Sequence, residues 1–294
     1  MNTLLRLQLD FRKKIIFTSA LVVFSVSLFF FSCSKKNDTT PDYSIATELT
    51  SVQSDIEDVL IVAEDAMRNS GKFRIAGVSS CPAITLDTVN KTFTLDFGSG
   101  CLGDDKRFRQ GKLIVVYTAV YRDSGAVTSV KTQDYFVNGT GIQIKRLVTN
   151  IDTIAVTKDS IATIRLKYTV VDSDTSGSGY AKITLSGGGS TTWKSTRTRT
   201  WLMGASTLLS TTDDEFNING TADGVSSKGK VYTLNGLNCE INRACWEQGN
   251  IIPSSGLLII NTSEGSRNVN YGVGDCDKIV VYTHTNGKSY TITF

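Results

Sequence analysis

The sequence predicts a mainly β protein: one long, curved antiparallel sheet, either a meander or half-barrel-like, with one N-terminal amphipathic helix. Short runs of alternating polar and apolar residues fill the chain after residue 73, and Asn-Gly pairs recur along it. The chain also has 25 glycines against 3 prolines. Glycine and asparagine favour tight turns, whereas proline disrupts strands. We therefore expect a single helix-plus-sheet domain over residues 45–294.

An amphipathic helix is predicted over residues 45–69. Apolar residues recur there at spacings of three and four, which places them along one stripe of a helix. These residues are Ile45, Leu49, Val52, Ile56, either Val59 or Leu60, Ala63 and Met67. Asn69, Ser70 and Gly71 end the pattern. We expect the stripe to cover one face of the sheet; the alternative is a coiled-coil site for a partner helix.

Half-buried strands are predicted from residue 73 onward. In ATIRLKYTVV, residues 162–171, apolar side chains alternate with Thr, Arg and Lys, so they lie on opposite faces of a strand. Asn-Gly pairs begin at positions 138, 219, 235 and 286. Both residues of such a pair accept positive φ, so each pair predicts a hairpin turn.

The N-terminus has the layout of a lipoprotein signal peptide over residues 1–32. A basic region precedes an apolar run from Ile15 to Phe31, and the small Ser32 stands before Cys33. The pattern resembles a bacterial lipobox, with Phe30 in the place of the usual leucine. Residues 33–44 are polar and predict a flexible tether. The alternative is an uncleaved membrane anchor.

The charge balance depends on this segment. The whole chain carries a formal charge of +3, and the predicted signal peptide carries all of it, so the mature chain is neutral. Clustered Lys and Arg are needed to bind phosphate backbones, so no nucleic-acid partner is expected. The expected membrane contact is lipid on Cys33, which places the protein at the outer membrane or cell surface.

Two segments resemble copies of one unit. DFGSGC, ending at Cys101, and YGVGDC, ending at Cys276, are each followed by a strand that ends Val-Val-Tyr-Thr. Each unit also has an earlier cysteine, Cys81 or Cys245. Pairing is the default in an oxidising compartment, so we predict disulfides Cys81–Cys101 and Cys245–Cys276. Cys239 is left over.

No catalytic, metal or cofactor motif stands out. The cysteine spacing does not fit zinc, and the sole histidine, His284, is expected in a strand near a turn. An enzyme is not expected. A carboxylate-based envelope hydrolase stays open as an alternative. The acids that it would use are Asp104, Asp105, Asp213, Asp214 and Glu215.

One strand carries two tryptophans and two arginines on the same face. In TTWKSTRTRTW, residues 191–201, these are Trp193, Arg197, Arg199 and Trp201. One alternative is an inner structural ladder, in which the arginines pair with acids on neighbouring strands. The other is an exposed strip that binds a glycan or an anionic ligand through stacked arginine and tryptophan.

The segments DFGSGCLGDDKRFRQGKLIVVYTAVYRDSG, STTWKSTRTRTW and YGVGDCDKIVVYTHTNGKSYTITF resemble lipoproteins of unknown function from the Bacteroidota. The resemblance covers most of residues 75–294 and implies a lipid-anchored envelope protein with no known activity. We therefore expect a binding or structural role in the envelope. The main rival is a lipid or lipoprotein carrier, a half-barrel with a helix lid, which requires a continuous apolar concavity.

Overall fold

The computed structural model describes residues 42–69, 81–158, 161–207 and 210–294, with the side chains of Asn69 and of residues 154–164 excepted. The predicted signal peptide, Cys33 and residues 34–41 of the tether lie outside the described residues. Residues 42–294 form one compact unit.

Helix α1, Ser44–Asn69, confirms the predicted amphipathic helix. Asp42 precedes it and accepts a hydrogen bond from the backbone N–H of Ser44 at 3.0 Å, which satisfies one of the free donors at the helix start. Every residue from 44 to 68 is buried or half-buried. Such a helix is buried on its polar side as well as along its apolar stripe.

The mainly β fold is confirmed as one large antiparallel sheet of 16 strands within the described residues. The strands are β1 (Ala83–Asp87), β2 (Thr92–Asp96), β3 (Cys101–Leu102), β4 (Phe108–Tyr117), β5 (Val127–Val137), β6 (Thr140–Gln143), β7 (Lys145–Lys158), β8 (Ile161–Ser173), β9 (Ala181–Thr184), β10 (Ser190–Met203), β11 (Glu215–Val225), β12 (Val231–Asn242), β13 (Ser255–Thr262), β14 (Gly265–Val273), β15 (Ile279–Thr283) and β16 (Ser289–Thr293). A short helix, α2 (Arg243–Glu247), follows β12.

Most strands pair with a sequence neighbour, as in a meander, but the middle of the sheet divides. Strand β5 pairs with β6 along one part of its length and with β7 along another. Strand β10 likewise pairs with β9 over residues 190–193 and with β8 over residues 195–201. The strands between β5 and β10 therefore run along two routes, β6 with β9 and β7 with β8.

Two of the four predicted Asn-Gly turns are confirmed and two are wrong. Asn138-Gly139 joins β5 to β6, and Asn286-Gly287 lies between β15 and β16. Asn219-Gly220 and Asn235-Gly236 instead face each other inside β11 and β12, beside a bulge. Gly220 has φ +141°, and a Cβ there would lie 2.5 Å from the Thr196 carbonyl oxygen. Glycine therefore permits a bulge and a close strand approach rather than a turn.

The sheet curls around α1, because strands far apart in the strand order contact this one helix. Arg109 of β4 and Arg146 of β7 form ion pairs with helix carboxylates, as does Arg197 of β10. From β14, the Tyr271 hydroxyl lies 3.2 Å from that of Thr50 in the helix. The predicted packing of one apolar stripe on one face is therefore only part of the arrangement.

Candidate functional site

The tryptophan and arginine strip of β10 lies on the inner face of the sheet. Trp193, Arg199 and Trp201 are each 1% exposed, and Arg197 is 6% exposed. The alternative of an exposed binding strip is therefore wrong, and a buried ladder is observed. The physical reason is that β10 has paired strands on both edges, while α1 supplies carboxylates to its inner face.

Arg197 belongs to a buried ion-pair network centred on Glu57 of α1. Glu57 Oε1 lies 2.7 Å from Arg197 Nη1 and 3.0 Å from Arg146 Nη2. Asp172 of β8 contacts the same arginines, at 2.8 Å from Arg146 Nε and 2.9 Å from Arg197 Nη2. Burial raises the pKa of a carboxyl group, but the arginines outweigh it and lower the pKa of Glu57 to about 2. Two guanidinium groups and two carboxylates thus neutralise each other in the interior.

Arg199 and Trp201 have carboxylate partners of their own. Arg199 pairs with Glu64 of α1, and its guanidinium carbon lies 3.6 Å from the centroid of the Phe216 ring. Trp201 donates its indole N–H to Asp214 Oδ1 at 3.2 Å. In the ladder alternative, the arginines pair with acids on neighbouring strands. Asp172 of β8 is such a partner, but the other carboxylates that pair with Arg197 and Arg199 come from the helix.

A third network surrounds Asp58 of α1. Arg109 of β4 donates to both of its oxygens, at 2.5 and 2.9 Å, and Arg107 lies 3.4 Å away. The Tyr135 hydroxyl donates to Asp58 at 3.0 Å, while Asp105 takes a further hydrogen bond from Arg109 at 2.9 Å. Burial acts to raise the pKa of Asp58, yet these arginines hold it below its ordinary value. The same pattern of compensated charge thus recurs along the helix.

Sequence reasoning missed these helix carboxylates as partners of the strand arginines. The available signal was an excess of acid on the helix, which from residue 55 onward carries five buried or half-buried acids against Arg68 alone. The five acids are Asp55, Glu57, Asp58, Glu64 and Asp65. Buried charges need partners, so this excess could have indicated inward-facing arginines on the sheet.

Both predicted disulfides, Cys81–Cys101 and Cys245–Cys276, are present, and Cys239 is free and buried. Cys101 lies in β3, which pairs with β4 near one end of the strand order. Cys245 lies in α2, and Cys276 lies between β14 and β15 near the other end. The pairing predicted from the two similar segments is therefore confirmed.

A cleft of about 470 Å³, here called the disulfide-braced cleft, opens at the C-terminal half of α1. The helix, the segment around the first disulfide, and α2, which carries Cys245 of the second disulfide, all contribute to it. The lining includes Ile61, Val62, Asp65 and Ala66 of the helix, Pro82, Gly103, Asp104 and Asp105 of the first segment, and Arg243, Trp246 and Glu247 of α2. Its volume lies within the range of small-molecule sites.

The cleft combines apolar surface with carboxylates at its edge. Arg243 Nη2 lies 2.7 Å from Asp65 Oδ2; burial raises the pKa of Asp65, and Arg243 opposes that rise. Asp104 and Glu247 are exposed, and Thr211 donates to Glu247 at 3.1 Å. Carboxylates at such an edge accept hydrogen bonds from hydroxyl groups or attract a cation.

The acids considered for a hydrolase mostly have structural partners. The contacts join Asp105 to Arg109, Asp213 to Thr207, Asp214 to Arg68 and Glu215 to Asn242. Asp104 and Asp105 line the disulfide-braced cleft, but the ion pair with Arg109 holds Asp105. His284 Nδ1 contacts Thr285 and Asn286 of its own turn, and its ring centroid lies 6.1 Å from that of Tyr282. Among the described residues, no group of three or more potential ligands is placed to hold a metal ion.

Comparison with known proteins adds no relative: no protein-family model, curated protein or solved structure matches this chain. Within the described residues, none of the helices has the length and apolar character that crossing a bilayer requires.

Proposed function

We propose that this protein is a lipid-anchored component of the outer membrane or cell surface with a binding role. The N-terminal pattern that ends in Cys33 supports the anchor. Two disulfides in the folded domain support an exported protein, since such bonds persist in oxidising compartments. In this proposal the folded domain is a rigid scaffold on a lipid tether.

The observation that carries the binding role is the disulfide-braced cleft. Segments from opposite ends of the strand order meet there, and each contains a disulfide next to a lining residue, Cys81 beside Pro82 and Cys245 beside Trp246. Covalent links hold both segments in place before a ligand arrives. Such pre-organisation reduces the ordering cost of binding.

A carrier function is less well supported. The sheet does curve, but α1 occupies its concave side, and the helix residues from 44 to 68 are all at least half-buried. Lipid could enter this space only if the helix left it. That movement would separate Glu57 and Asp58 from their arginine partners. Breaking buried ion pairs in this way requires a large free energy.

Substitution of the predicted lipidation site tests the anchor. In Cys33→Ala we expect loss of palmitate labelling, together with either transfer from the detergent phase to the aqueous phase in Triton X-114 partitioning or accumulation of the uncleaved precursor. Cys239→Ala is the matched control and should behave as wild type. Labelling of Cys33→Ala at the wild-type level would show that the anchor is not on Cys33. Protease treatment of intact cells then separates a surface location from a periplasmic one.

Binding is tested separately with isolated cell envelopes and the lipid-free Cys33→Ala chain. We expect this protein to sediment with envelopes, and the added pair Asp104→Lys and Glu247→Lys to weaken the association by reversing charge at the cleft. Asp123→Lys with Asp152→Lys makes the same charge change outside the cleft lining and should have little effect. Failure to sediment, or equal loss in both pairs, would contradict a binding role for the cleft.

A further inference from the structure

A second concavity lies on the outer face of the sheet, away from the disulfide-braced cleft. This groove of about 810 Å³ crosses β10, β11, β12 and β13 and shares no lining residue with the cleft. Its exposed lining alternates with buried neighbours: Thr221 and Val225 flank the buried Ala222 and Gly224, and Thr233 precedes the buried Leu234. The outward-facing side chains of these strands therefore form it.

An exposed aromatic ring stands in the lining of the groove. Tyr180 is 47% exposed, and its hydroxyl donates to Asp223 Oδ2 at 2.5 Å. Lys194 Nζ lies 5.8 Å from the ring centroid and donates to the Ser178 carbonyl oxygen at 3.2 Å. Contacts at the hydroxyl and over the ring fix the orientation of Tyr180.

The loop that carries Tyr180 is ordered by Asp174. Its Oδ1 accepts backbone N–H bonds from Ser176 at 3.1 Å, Gly177 at 2.8 Å and Ser178 at 3.0 Å. Hydrogen bonds from the Ser176 hydroxyl and from the backbone N–H groups of Ser178, Gly179 and Gly177 lower the pKa of Asp174 below its ordinary value. A carboxylate in this geometry holds the loop in one conformation, so the tyrosine is presented before any ligand binds.

We propose that this groove binds a neutral saccharide chain. A pyranose ring presents apolar C–H faces between hydroxyl groups, and the groove offers the matching surfaces. Val225 and Val231 are 38% and 68% exposed and lie beside threonine and asparagine side chains. The amides of Asn235 and Asn261 can each donate and accept, which suits hydroxyl groups. Tyr180 supplies an aromatic face.

Charge and topology disfavour other ligands. No arginine or lysine appears among the described residues that line the groove, whereas the carboxylate of Asp223 does. Lys194, which lies over the Tyr180 ring, is opposite Asp223 in the strand register, so an anionic polymer finds little net attraction. An added peptide strand needs a free sheet edge. Strands β10, β11 and β12 are paired on both sides, so their backbone groups are occupied.

Affinity electrophoresis of the full-length protein in neutral detergent tests the proposal, with native gels that contain dextran, mannan, xyloglucan or hydroxyethyl cellulose. We expect retardation by at least one of these and none by polygalacturonate. Tyr180→Ala should weaken it about ten-fold. Tyr43→Ala removes a similarly exposed tyrosine, 44% exposed, outside the groove and is the matched control.

A second variant keeps the test decisive if Tyr180→Ala fails to fold. Val231→Glu introduces charge at an exposed position of the groove, and its folding is checked by thermal melting; it should also abolish retardation. No retardation by any neutral polymer, or retardation that survives both folded variants, would overturn the proposal. Because the lining of the cleft is intact in these variants, this result is independent of envelope binding through the cleft.

Discussion

The two faces of β10 carry opposite kinds of chemistry. The inner face holds Arg197 and Arg199, both buried beneath α1, whereas the outer face holds Lys194, Thr196 and Thr198, which are half-buried or exposed. Two arginines are thus inside, whereas the outer side chains, including the charged Lys194, are in contact with solvent. The difference shows that a charged side chain can be buried when it has a partner of opposite charge. Here the helix carboxylates compensate the charges of the inner arginines.

The largest effect is expected from removing one partner of the inner network. Glu57→Gln leaves Arg146 and Arg197 with reduced compensation, and breaking a buried pair costs about 3–5 kcal/mol. Thr198→Ala on the outer face should change the free energy of unfolding by only about 0.5 kcal/mol or less. Urea denaturation of the two variants measures the contrast. Equal effects would mean that the faces do not differ energetically.

The two disulfides extend the comparison to the ends of the sheet. Their cysteines are 20 and 31 residues apart, so by loop entropy each bond contributes about 3–4 kcal/mol. We expect Cys81→Ser with Cys101→Ser, and Cys245→Ser with Cys276→Ser, to reduce stability by similar amounts in urea titrations. Cys239→Ala removes a thiol without breaking a disulfide bond and is the control. A pair of substitutions with no effect would show that its disulfide does not stabilise the fold.

A smaller effect is expected from pH, through Asp214 on the inner side. Burial raises the pKa of Asp214 to about 6, and Arg68 opposes that rise. The folded state therefore holds this proton more tightly than the unfolded state does. The resulting stabilisation is complete below the ordinary value of 3.8 and is lost as pH rises through about 6. Asp214→Asn should remove this part of the pH dependence, whereas the exposed Asp123→Asn should retain it; identical stability curves in both would contradict the assignment.

The smallest effect concerns Cys239, whose side chain lies inside the fold. Burial raises the pKa of its thiol to about 11, so it stays protonated at neutral pH. We expect iodoacetamide to modify the Cys239 thiol slowly in the native protein at pH 8 and rapidly in urea. One thiol should be labelled within residues 42–294 of each chain. Rapid labelling of the native protein would show that this part of the inner face opens to solvent.

The helix, the strands and the cysteine pairing could be predicted because each leaves a local or repeated pattern. The site could not be predicted in the same way. Alternation in TTWKSTRTRTW assigns residues to two faces, but it does not identify the inner one. Arg199 and its partner Glu64 are 135 positions apart, so no short pattern links them. The Asn-Gly pairs inside β11 and β12 show the same limit. Their local pattern predicts turns, but the pairing of the two strands places them in the sheet beside a bulge.

The sequence by itself determined the amphipathic helix, the antiparallel class of the sheet and the two cysteine pairs. Only the tertiary structure decided that Arg197 and Arg199 are buried, that α1 is enclosed, and that the disulfide segments meet at one cleft. The physical reason is the distance along the chain over which each effect acts. The hydrogen-bond periodicity of helices and strands and the turn preferences of residues act over only a few positions. Burial of a charge depends instead on whether a distant carboxylate arrives to replace the water that it loses.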